Sequence, residues 1–312
     1  MKQILGLFEI FRLRQQIKNL LVIVPFLFSL NLWYSNNELG QYFLIFSSVI
    51  GGVLVFSLSS WAVYLFNDVV DAEMDLIHDS KKNRPIARGT VSKIYAFIMS
   101  LVLMIGTPML AFLLSTGFCF CISIYLIMNI FYSLFLKKIV IIDVIIVALG
   151  FVIRALSGVF ILRDSGVEIL SNLQVSPWFY LCTGFGALFI VLMKRQGELE
   201  GSEQTFVTRP TLRMYSTNLL LSLINISCSA TIITYSLYTV SGKFGWEVNV
   251  PSDNSMIITV PLVIIGIFRY MYLCFEEKKG ESPEKIITSD IFLIIVILIW
   301  LVTSIFILLL RG

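Results

Sequence analysis

The chain has 312 residues, of which 57% are hydrophobic and 14% carry a charge. A soluble domain carries about 25% charged residues, so this composition excludes a soluble globular protein and indicates a polytopic membrane protein. The net charge of +3 is small, and we expect no nucleic-acid partner.

Nine apolar segments are long enough to cross a bilayer as helices, which takes about 20 residues each. These segments fall near residues 19–34, 43–66, 94–114, 117–136, 139–161, 178–193, 217–240, 256–275 and 291–310. The sequence therefore predicts an all-α membrane protein with nine transmembrane helices, in which residues 1–312 form a single domain.

Lys and Arg collect in alternate loops, and this asymmetry predicts the orientation. With the N-terminus in the cytoplasm, 18 of the 23 Lys and Arg residues lie inside, three lie outside and two fall within helices. Cytoplasmic loops carry the excess of basic residues in membrane proteins. We therefore expect a cytoplasmic N-terminus, an external C-terminus and chemistry that faces the cytoplasm.

The second predicted helix runs into an acidic motif. Asn67, Asp68, Asp71 and Asp75 recur at i, i+1, i+4 and i+8, which places them along one face of a continued helix. Carboxylates at such spacings repel by about 0.2–0.5 kcal/mol per pair, and a divalent cation removes that penalty. Oxygen ligands without a His or Cys companion favour Mg²⁺, which shares its remaining positions with substrate phosphate.

A basic run follows the acidic motif. Lys81, Arg84 and Arg88 offer cations to the outer oxygens of a phosphate group. Together the two runs predict a magnesium diphosphate site. The alternative is a solvated loop whose charges only set the topology. His78 follows the acidic run without a His or Cys partner, so we expect no zinc site.

A second polar constellation lies between the fourth and fifth predicted helices. Tyr132 and Lys137 precede Asp143, which lies about one turn inside the next apolar run, and Arg154 lies deeper in that run. Charged residues inside a membrane are expensive and are functional candidates by default. The alternative is a buried Asp143–Arg154 pair that only fixes packing. Gly158 nearby permits a close helix approach.

Two further loops place cations at the same predicted side. Lys18 and Asn19 stand at the mouth of the first helix, and Lys194 and Arg195 end the sixth. The positive-inside rule alone is the alternative explanation for the basic residues.

These motifs carry a family resemblance over the whole chain. Nine helices with N-D-x-x-D-x-x-x-D after the second resemble the UbiA superfamily of intramembrane prenyltransferases. The ordered set of motifs is similar to the decaprenyl-phosphate phosphoribosyltransferase branch of that superfamily. The matching pieces are RxRQxxKN at 12–19, NDxxDxEMDxxH with KxNRPIAxG over 67–89, YSxxLKxxxxxDV at 132–144, FxIRAxxG at 151–158, SxWF at 176–179, KRxxEL at 194–199 and RY with EEKKGESPE over 269–284.

The resemblance implies a helical bundle in the inner membrane of a bacterial cell and a Mg²⁺-dependent transfer. Phosphoribosyl diphosphate and a polyprenyl phosphate would give polyprenylphosphoryl-5-phosphoribose and diphosphate. We assign the metal to Asn67, Asp68, Asp71 and Asp75, and catalysis to Asp68, Asp71, Lys137 and Asp143. Substrate binding is assigned to Lys18, Asn19, Lys81, Arg84, Arg88, Tyr132, Arg154, Lys194 and Arg195.

Two other functions stay open. Prenyl transfer from a polyprenyl diphosphate to an aromatic acceptor is usually accompanied by a second D-x-x-x-D after the sixth helix, where this sequence has Lys194, Arg195 and Glu198. A transporter would line a substrate path with buried charges, but here the charges gather on one side. The sequence also leaves open whether the chain forms a homo-oligomer.

Overall fold

The structure, a computed structural model, describes residues 2–34, 39–77, 81–199, 210–245, 250–277 and 283–311, and their regular elements are all helices. The α-helices are α1 Lys2–Phe11, α2 Leu13–Gln16, α3 Val24–Phe28, α4 Leu30–Trp33, α5 Leu39–Val70, α6 Ala72–Ile77, α7 Lys93–Leu114, α8 Thr116–Leu134, α9 Ile142–Arg163, α10 Glu168–Ser171, α11 Pro177–Leu199, α12 Thr217–Thr239, α13 Val260–Phe275, α14 Pro283–Ser289 and α15 Ile291–Arg311. The 3₁₀ helices are Ile17–Ile23, Lys81–Asn83, Leu136–Lys138, Pro210–Met214, Ser241–Phe244 and Ser255–Thr259. The predicted all-α class is confirmed.

Eight helices in the described residues are long and apolar enough to cross a membrane. They correspond to the second to ninth predicted segments. The largest extensions past the predicted ends are those of α5, which runs to Val70, and α11, which runs to Leu199. Both extensions carry charged residues, so the apolar pattern that marks a membrane span ends before the helix does.

The first predicted segment is shorter and more broken than its apolar run suggests. Its apolar stretch, Ile17–Phe28, is 3₁₀ up to Ile23 and then α-helical in α3. Helix α3 ends at Phe28, because the next residue, Ser29, has a φ of −109° and a ψ of 14°. Pro25 has no N–H to donate and therefore fits the first turn of α3. The Ser29 hydroxyl and the Trp33 indole both donate to the Phe26 carbonyl, at 3.3 and 3.2 Å, and satisfy it at the break.

Helix α9 lies in the middle of the bundle and packs against α5, α8, α11 and the 3₁₀ stretch Ile17–Ile23. A Cβ atom added at Gly158 would lie 2.2 Å from the carbonyl oxygen of Val22. Only glycine permits that approach, in agreement with the close helix packing that Gly158 predicted from the sequence. Small residues stabilise helix pairs in membranes because lipid supplies little hydrophobic force between helices.

Helix α1 packs against the end of α5 and against the loop that follows it. The apolar cluster that joins them contains Leu7, Ile10, Leu65, Ile86 and Val91. Within the loop, the backbone N–H groups of Thr90 and Val91 donate to the Pro85 carbonyl at 2.9 and 3.1 Å. The turn is completed by Gly89 at φ +77°, a left-handed conformation that favours glycine. The loop is therefore held beside the charged end of α5.

Candidate active site

A polar cavity of about 280 Å³ lies where the ends of α5, α8, α9 and α11 meet the first segment and the 3₁₀ helix Lys81–Asn83. Each of these helices contributes polar residues from one face. The lining residues are Arg12, Gln15, Lys18, Val63, Tyr64, Asn67, Asp71, Lys81, Arg84, Tyr125, Asn129, Tyr132, Ser133, Ile146, Val147, Gly150, Phe151, Arg154, Lys194 and Glu198.

The acidic motif divides between two surroundings. Asn67 and Asp71 line the cavity, one turn apart, with the Asp71 N–H donating to the Asn67 carbonyl at 2.9 Å. The Asn67 side-chain oxygen accepts a hydrogen bond from Ser133 at 3.2 Å, and the Lys137 ammonium contacts the Asp71 carboxylate. Lys137 itself is not among the lining residues.

Asp68 and Asp75 lie to one side of the cavity, where they are buried and bind arginines. Arg84 bridges them with contacts of 3.0 Å to Asp68 and 2.7 Å to Asp75. Arg12 reaches both oxygens of Asp68 at 2.6 Å. Burial raises the pKa of Asp75, and Arg84 opposes that shift. Both arginines also line the cavity, so these two carboxylates hold cavity cations in place.

The cavity fits Mg²⁺ through few protein ligands. No group of three or more His, Cys, Asp or Glu side chains that could hold a metal occurs among the described residues. Asn67 and Asp71 nevertheless present hard oxygen atoms at one wall. Mg²⁺ is usually bound by one or two carboxylates, several waters and substrate phosphates, so these two residues suit the ion. The predicted set of four ligands stays a prediction.

Cations reach the cavity from several separate segments of the chain. The predicted residues Lys18, Lys81, Arg84, Arg154 and Lys194 all line it, together with Tyr132. The pKa of Lys81 is lowered, first by burial and then by the neighbouring charge of Arg84. This concentration of positive charge suits phosphate ligands.

Arg154 lies in the middle of α9 and is 5% exposed. Its guanidinium donates to the Asn19 side-chain oxygen at 2.8 Å, to the Gly150 carbonyl at 2.7 Å and to the Tyr125 hydroxyl at 3.0 Å. Asn19 does not line the cavity but lies behind Arg154, where its amide also contacts Ser57. The Asp143–Arg154 pair weighed from the sequence is not the arrangement found, because Asp143 has other partners.

Asp143 and Arg195 form a buried ion pair next to the cavity, with 3.3 Å between Arg195 Nε and Asp143 Oδ2. Arg195 also contacts Glu198, which lines the cavity, at 2.8 Å. The Tyr215 hydroxyl donates to Asp143 at 2.7 Å and accepts from the Ile141 N–H at 2.7 Å. Burial and the bond to Asp143 raise the pKa of Tyr215, which keeps it a hydrogen-bond donor.

Arg88 is a predicted phosphate ligand that does not line the cavity. Its side chain is 42% exposed and contacts Glu9 at 2.5 Å, and its Nε donates to Thr90 at 2.8 Å. The structure does not bring Arg88 into the cavity. His78 and residues 278–282 of the last predicted motif lie outside the described residues.

Comparison with known proteins decides the family. Residues 22–294 match the UbiA prenyltransferase family. The chain belongs to that family. Membership makes this UbiA-family chain a membrane-embedded transferase, and it confirms the resemblance inferred from the motifs.

Relatives of this UbiA-family chain include two proteins named decaprenyl-phosphate phosphoribosyltransferase. The one from Mycobacterium tuberculosis is 30% identical over 299 residues, which cover 96% of this chain and 92% of the relative. The one from Corynebacterium glutamicum is 27% identical, and the match covers 95% of this chain and 84% of the relative.

Solved structures of UbiA homologues share the fold. The homologue from Archaeoglobus fulgidus bound to GPP and Mg²⁺ superimposes with a TM-score of 0.68 at 17% identity, covering 97% of this chain and 99% of the homologue. An apo homologue from Aeropyrum pernix K1 gives 0.63 at 13% identity, with coverage of 94% and 97%. At these identities the likeness concerns the architecture of the UbiA bundle.

Several site residues of this UbiA-family chain were missed from the sequence. Helix α8 contributes Tyr125, Asn129, Tyr132 and Ser133, of which only Tyr132 was predicted. Their spacing of i, i+4, i+7 and i+8 marks one helical face, and polar residues on one face of an apolar span are the signal that would have found them. Tyr215 carried no such signal because it lies in the loop before α12.

Proposed function

We propose that this chain transfers a 5-phosphoribosyl group from phosphoribosyl diphosphate to a polyprenyl phosphate, giving polyprenylphosphoryl-5-phosphoribose and diphosphate. The observation that carries the proposal is one cavity that joins the Asn67 and Asp71 oxygens to basic side chains from separate segments, namely Arg12, Lys18, Lys81, Arg84, Arg154 and Lys194. The Asn67 and Asp71 oxygens can hold the metal ion that binds a diphosphate. The basic side chains can bind the phosphate groups of two substrates. The names of the relatives support the same reaction.

The carboxylates and the cations have separate roles in this reaction. Asn67 and Asp71 would hold Mg²⁺ at the wall of the cavity, where the donor's diphosphate supplies further oxygens. When bound, the ion neutralises charge on the departing diphosphate. Lys81 and Arg84, which also line the cavity, stabilise the same negative charge. Asp68 and Asp75 keep Arg84 oriented through their ion pairs.

Bond making and bond breaking both occur at C1 of the ribose. The bond from C1 to the diphosphate oxygen breaks, and its electron pair leaves with the diphosphate. An oxygen of the polyprenyl phosphate forms the new bond to C1 from the opposite face. This nucleophile is already ionised at neutral pH, so the cavity needs no general base. The residues act by positioning the two substrates and by stabilising charge.

The proposed site faces the cytoplasm of a bacterial cell. The distribution of Lys and Arg supports this orientation, because 18 of 23 lie on the side that carries the cavity's loops. Phosphoribosyl diphosphate is soluble and charged, whereas the polyprenyl tail stays in the bilayer. A cavity at the end of the helices meets both requirements.

A transfer assay tests the proposal against prenyl transfer to an aromatic acceptor. Purified protein in detergent receives Mg²⁺, decaprenyl phosphate and phosphoribosyl diphosphate labelled in the ribose. We expect label in the organic phase with the wild type, and none with EDTA or with Asp71→Asn. Asp164→Asn, which changes an exposed carboxylate beyond the far end of α9, is the matched control and should transfer normally. Turnover of decaprenyl diphosphate with an aromatic acceptor, and none with the labelled donor, would overturn the proposal.

A further inference from the structure

Arg154 is a buried cation whose hydrogen bonds go to neutral oxygens. The three acceptors are the Asn19 amide oxygen, the Gly150 carbonyl and the Tyr125 hydroxyl. Among the residues that the structure describes, no carboxylate forms an ion pair with it. A second buried arginine, Arg195, contacts both Asp143 and Glu198. A buried charge without a counter-ion is costly, so an anionic ligand is the natural partner of Arg154.

The guanidinium is also fixed in place before any ligand arrives. Its central carbon lies 5.0, 4.9 and 5.5 Å from the ring centroids of Phe56, Tyr125 and Phe151. Three of its five N–H groups are used by the three neutral acceptors. One N–H on each terminal nitrogen is left, and Arg154 lines the cavity. A planar pair of N–H donors matches two oxygens of one phosphate group.

Arg154 lies apart from Asn67 and Asp71, and helix α8 contacts both positions, so its residues give the separation along the helix. Ser133 donates to Asn67 at 3.2 Å, and Tyr125 accepts from Arg154 at 3.0 Å. These two α8 residues are eight positions apart, which corresponds to about 12 Å along the helix axis. The cavity therefore presents groups that suit a phosphate at two separate positions, near Asn67 and near Arg154.

We propose that Arg154 binds the 5-phosphate of the phosphoribosyl donor, while its diphosphate lies at Asn67 and Asp71. The inference rests on the proposed function and assigns one substrate group within it. The donor carries its diphosphate on C1 and its single phosphate on C5, at two ends of the ribose. The attacking lipid phosphate must instead come within about 3–3.5 Å of C1, next to the diphosphate. The distant site therefore suits the 5-phosphate.

Two simple ligands separate the two sites. Calorimetry would measure binding of ribose 5-phosphate, and of inorganic diphosphate with Mg²⁺, to the purified full chain. We expect Arg154→Gln to weaken ribose 5-phosphate binding by about tenfold or more, which is the loss of one charge-assisted bidentate contact. Binding of Mg²⁺ with diphosphate should stay unchanged. Asp71→Asn should have the opposite pattern. Arg163→Gln, which removes a cation at the far end of the same helix, should leave both ligands unaffected.

A second variant keeps the test valid should Arg154→Gln fail to fold. Asn19→Asp replaces the amide oxygen that accepts from Arg154 by a carboxylate oxygen. The new negative charge neutralises the guanidinium in place. This variant too should weaken ribose 5-phosphate binding. Unchanged ribose 5-phosphate binding in either folded variant would overturn the inference, as would a raised KM for decaprenyl phosphate alone. Failure of the proposed function would differ, since the wild type would then show no transfer from phosphoribosyl diphosphate.

Discussion

Asp68 and Asp71 are three residues apart in one motif, yet they have different partners. Residues advance by about 100° around a helix, so Asp71 and Asp75 lie about 40° and 80° from Asn67, and Asp68 lies about 100° from it. Asp71 therefore shares the cavity face with Asn67. Asp68 and Asp75 instead share Arg84.

This division predicts different defects for the two asparagine variants. We expect Asp71→Asn to lower the transfer rate by about 100-fold or more, because it replaces a negatively charged carboxylate ligand by a neutral amide where charge develops, with little change in thermal stability. Asp68→Asn should instead lower the free energy of unfolding by about 1–3 kcal/mol, because Arg12 and Arg84 lose a buried partner. Transfer rates and melting curves measure the two effects. A folded Asp68→Asn protein that no longer responds to Mg²⁺ would make Asp68 a metal ligand.

The lowered pKa of Lys81 predicts that the KM for phosphoribosyl diphosphate depends on pH. Burial and the charge of Arg84 lower its pKa, so its ammonium loses the proton at a lower pH than an ordinary lysine, whose pKa is about 10.4. Donor binding needs the protonated form. The KM for phosphoribosyl diphosphate should therefore rise as the pH increases through this lowered pKa. Lys81→Arg stays protonated and should remove the rise, and an identical alkaline rise in Lys81→Arg would refute the assignment.

The hairpin between α8 and α9 depends on a hydrogen bond from outside it. Ile141 has a φ of +71°, a strained value for a β-branched residue. Its N–H is satisfied by the Tyr215 hydroxyl, which also donates to Asp143. The loop before α12 thereby fixes the loop that carries Lys137.

Tyr215→Phe removes one hydroxyl and both of these hydrogen bonds. We expect a loss of about 1–3 kcal/mol in the free energy of unfolding, because the buried Asp143 carboxylate loses a hydrogen-bond donor and the Ile141 N–H loses its acceptor. Substrate affinity should fall as well, since Lys137 and Tyr132 adjoin the loosened turn. Melting curves and KM values test this, with the exposed Tyr95→Phe as the control. An unchanged KM and an unchanged melting temperature would show that the hydroxyl fixes nothing.

The close packing of the first segment against α9 depends on the absence of a side chain at Gly158. Gly158→Ala places a methyl group 2.2 Å from the Val22 carbonyl, so the two segments must separate, and with them Asn19 and Arg154. We expect a lower melting temperature and weaker donor binding. Gly106→Ala is the matched control, because a Cβ at Gly106 meets nothing within 4 Å and alanine favours helix. Equal effects of the two substitutions would contradict this packing.

At the scale of the whole molecule, the distribution of Lys and Arg predicts the orientation in the membrane. Cysteine labelling tests it in a background without native cysteines. Lys243→Cys should react with a membrane-impermeant maleimide in intact cells, because its loop is expected outside. Lys82→Cys, in the loop beside the cavity, should react only after permeabilisation. Both positions are exposed. The reverse pattern would place the cavity on the external side.

Much of the fold was readable from the sequence, because apolar length and turn positions determine membrane helices. The break at Ser29 was not, since it depends on hydrogen bonds to the Phe26 carbonyl. The candidate site was predictable where acidic residues recur at helical spacing, as at Asp71, and where a charge lies within an apolar run, as at Arg154. It was not predictable where partners meet across the bundle, as Tyr215 meets Asp143 or Glu9 meets Arg88.

One measurement tests the central claim most directly, namely counting both products of a single reaction. The wild type would be incubated with Mg²⁺, decaprenyl phosphate and phosphoribosyl diphosphate, with separate labels on the ribose and on the β-phosphate. One phosphoribosyl lipid should form for each diphosphate released, and the rates of formation of both should fall by about 100-fold or more with Asp71→Asn. Release of diphosphate without labelled lipid, or labelled lipid that Asp71→Asn still forms at the normal rate, would contradict the account.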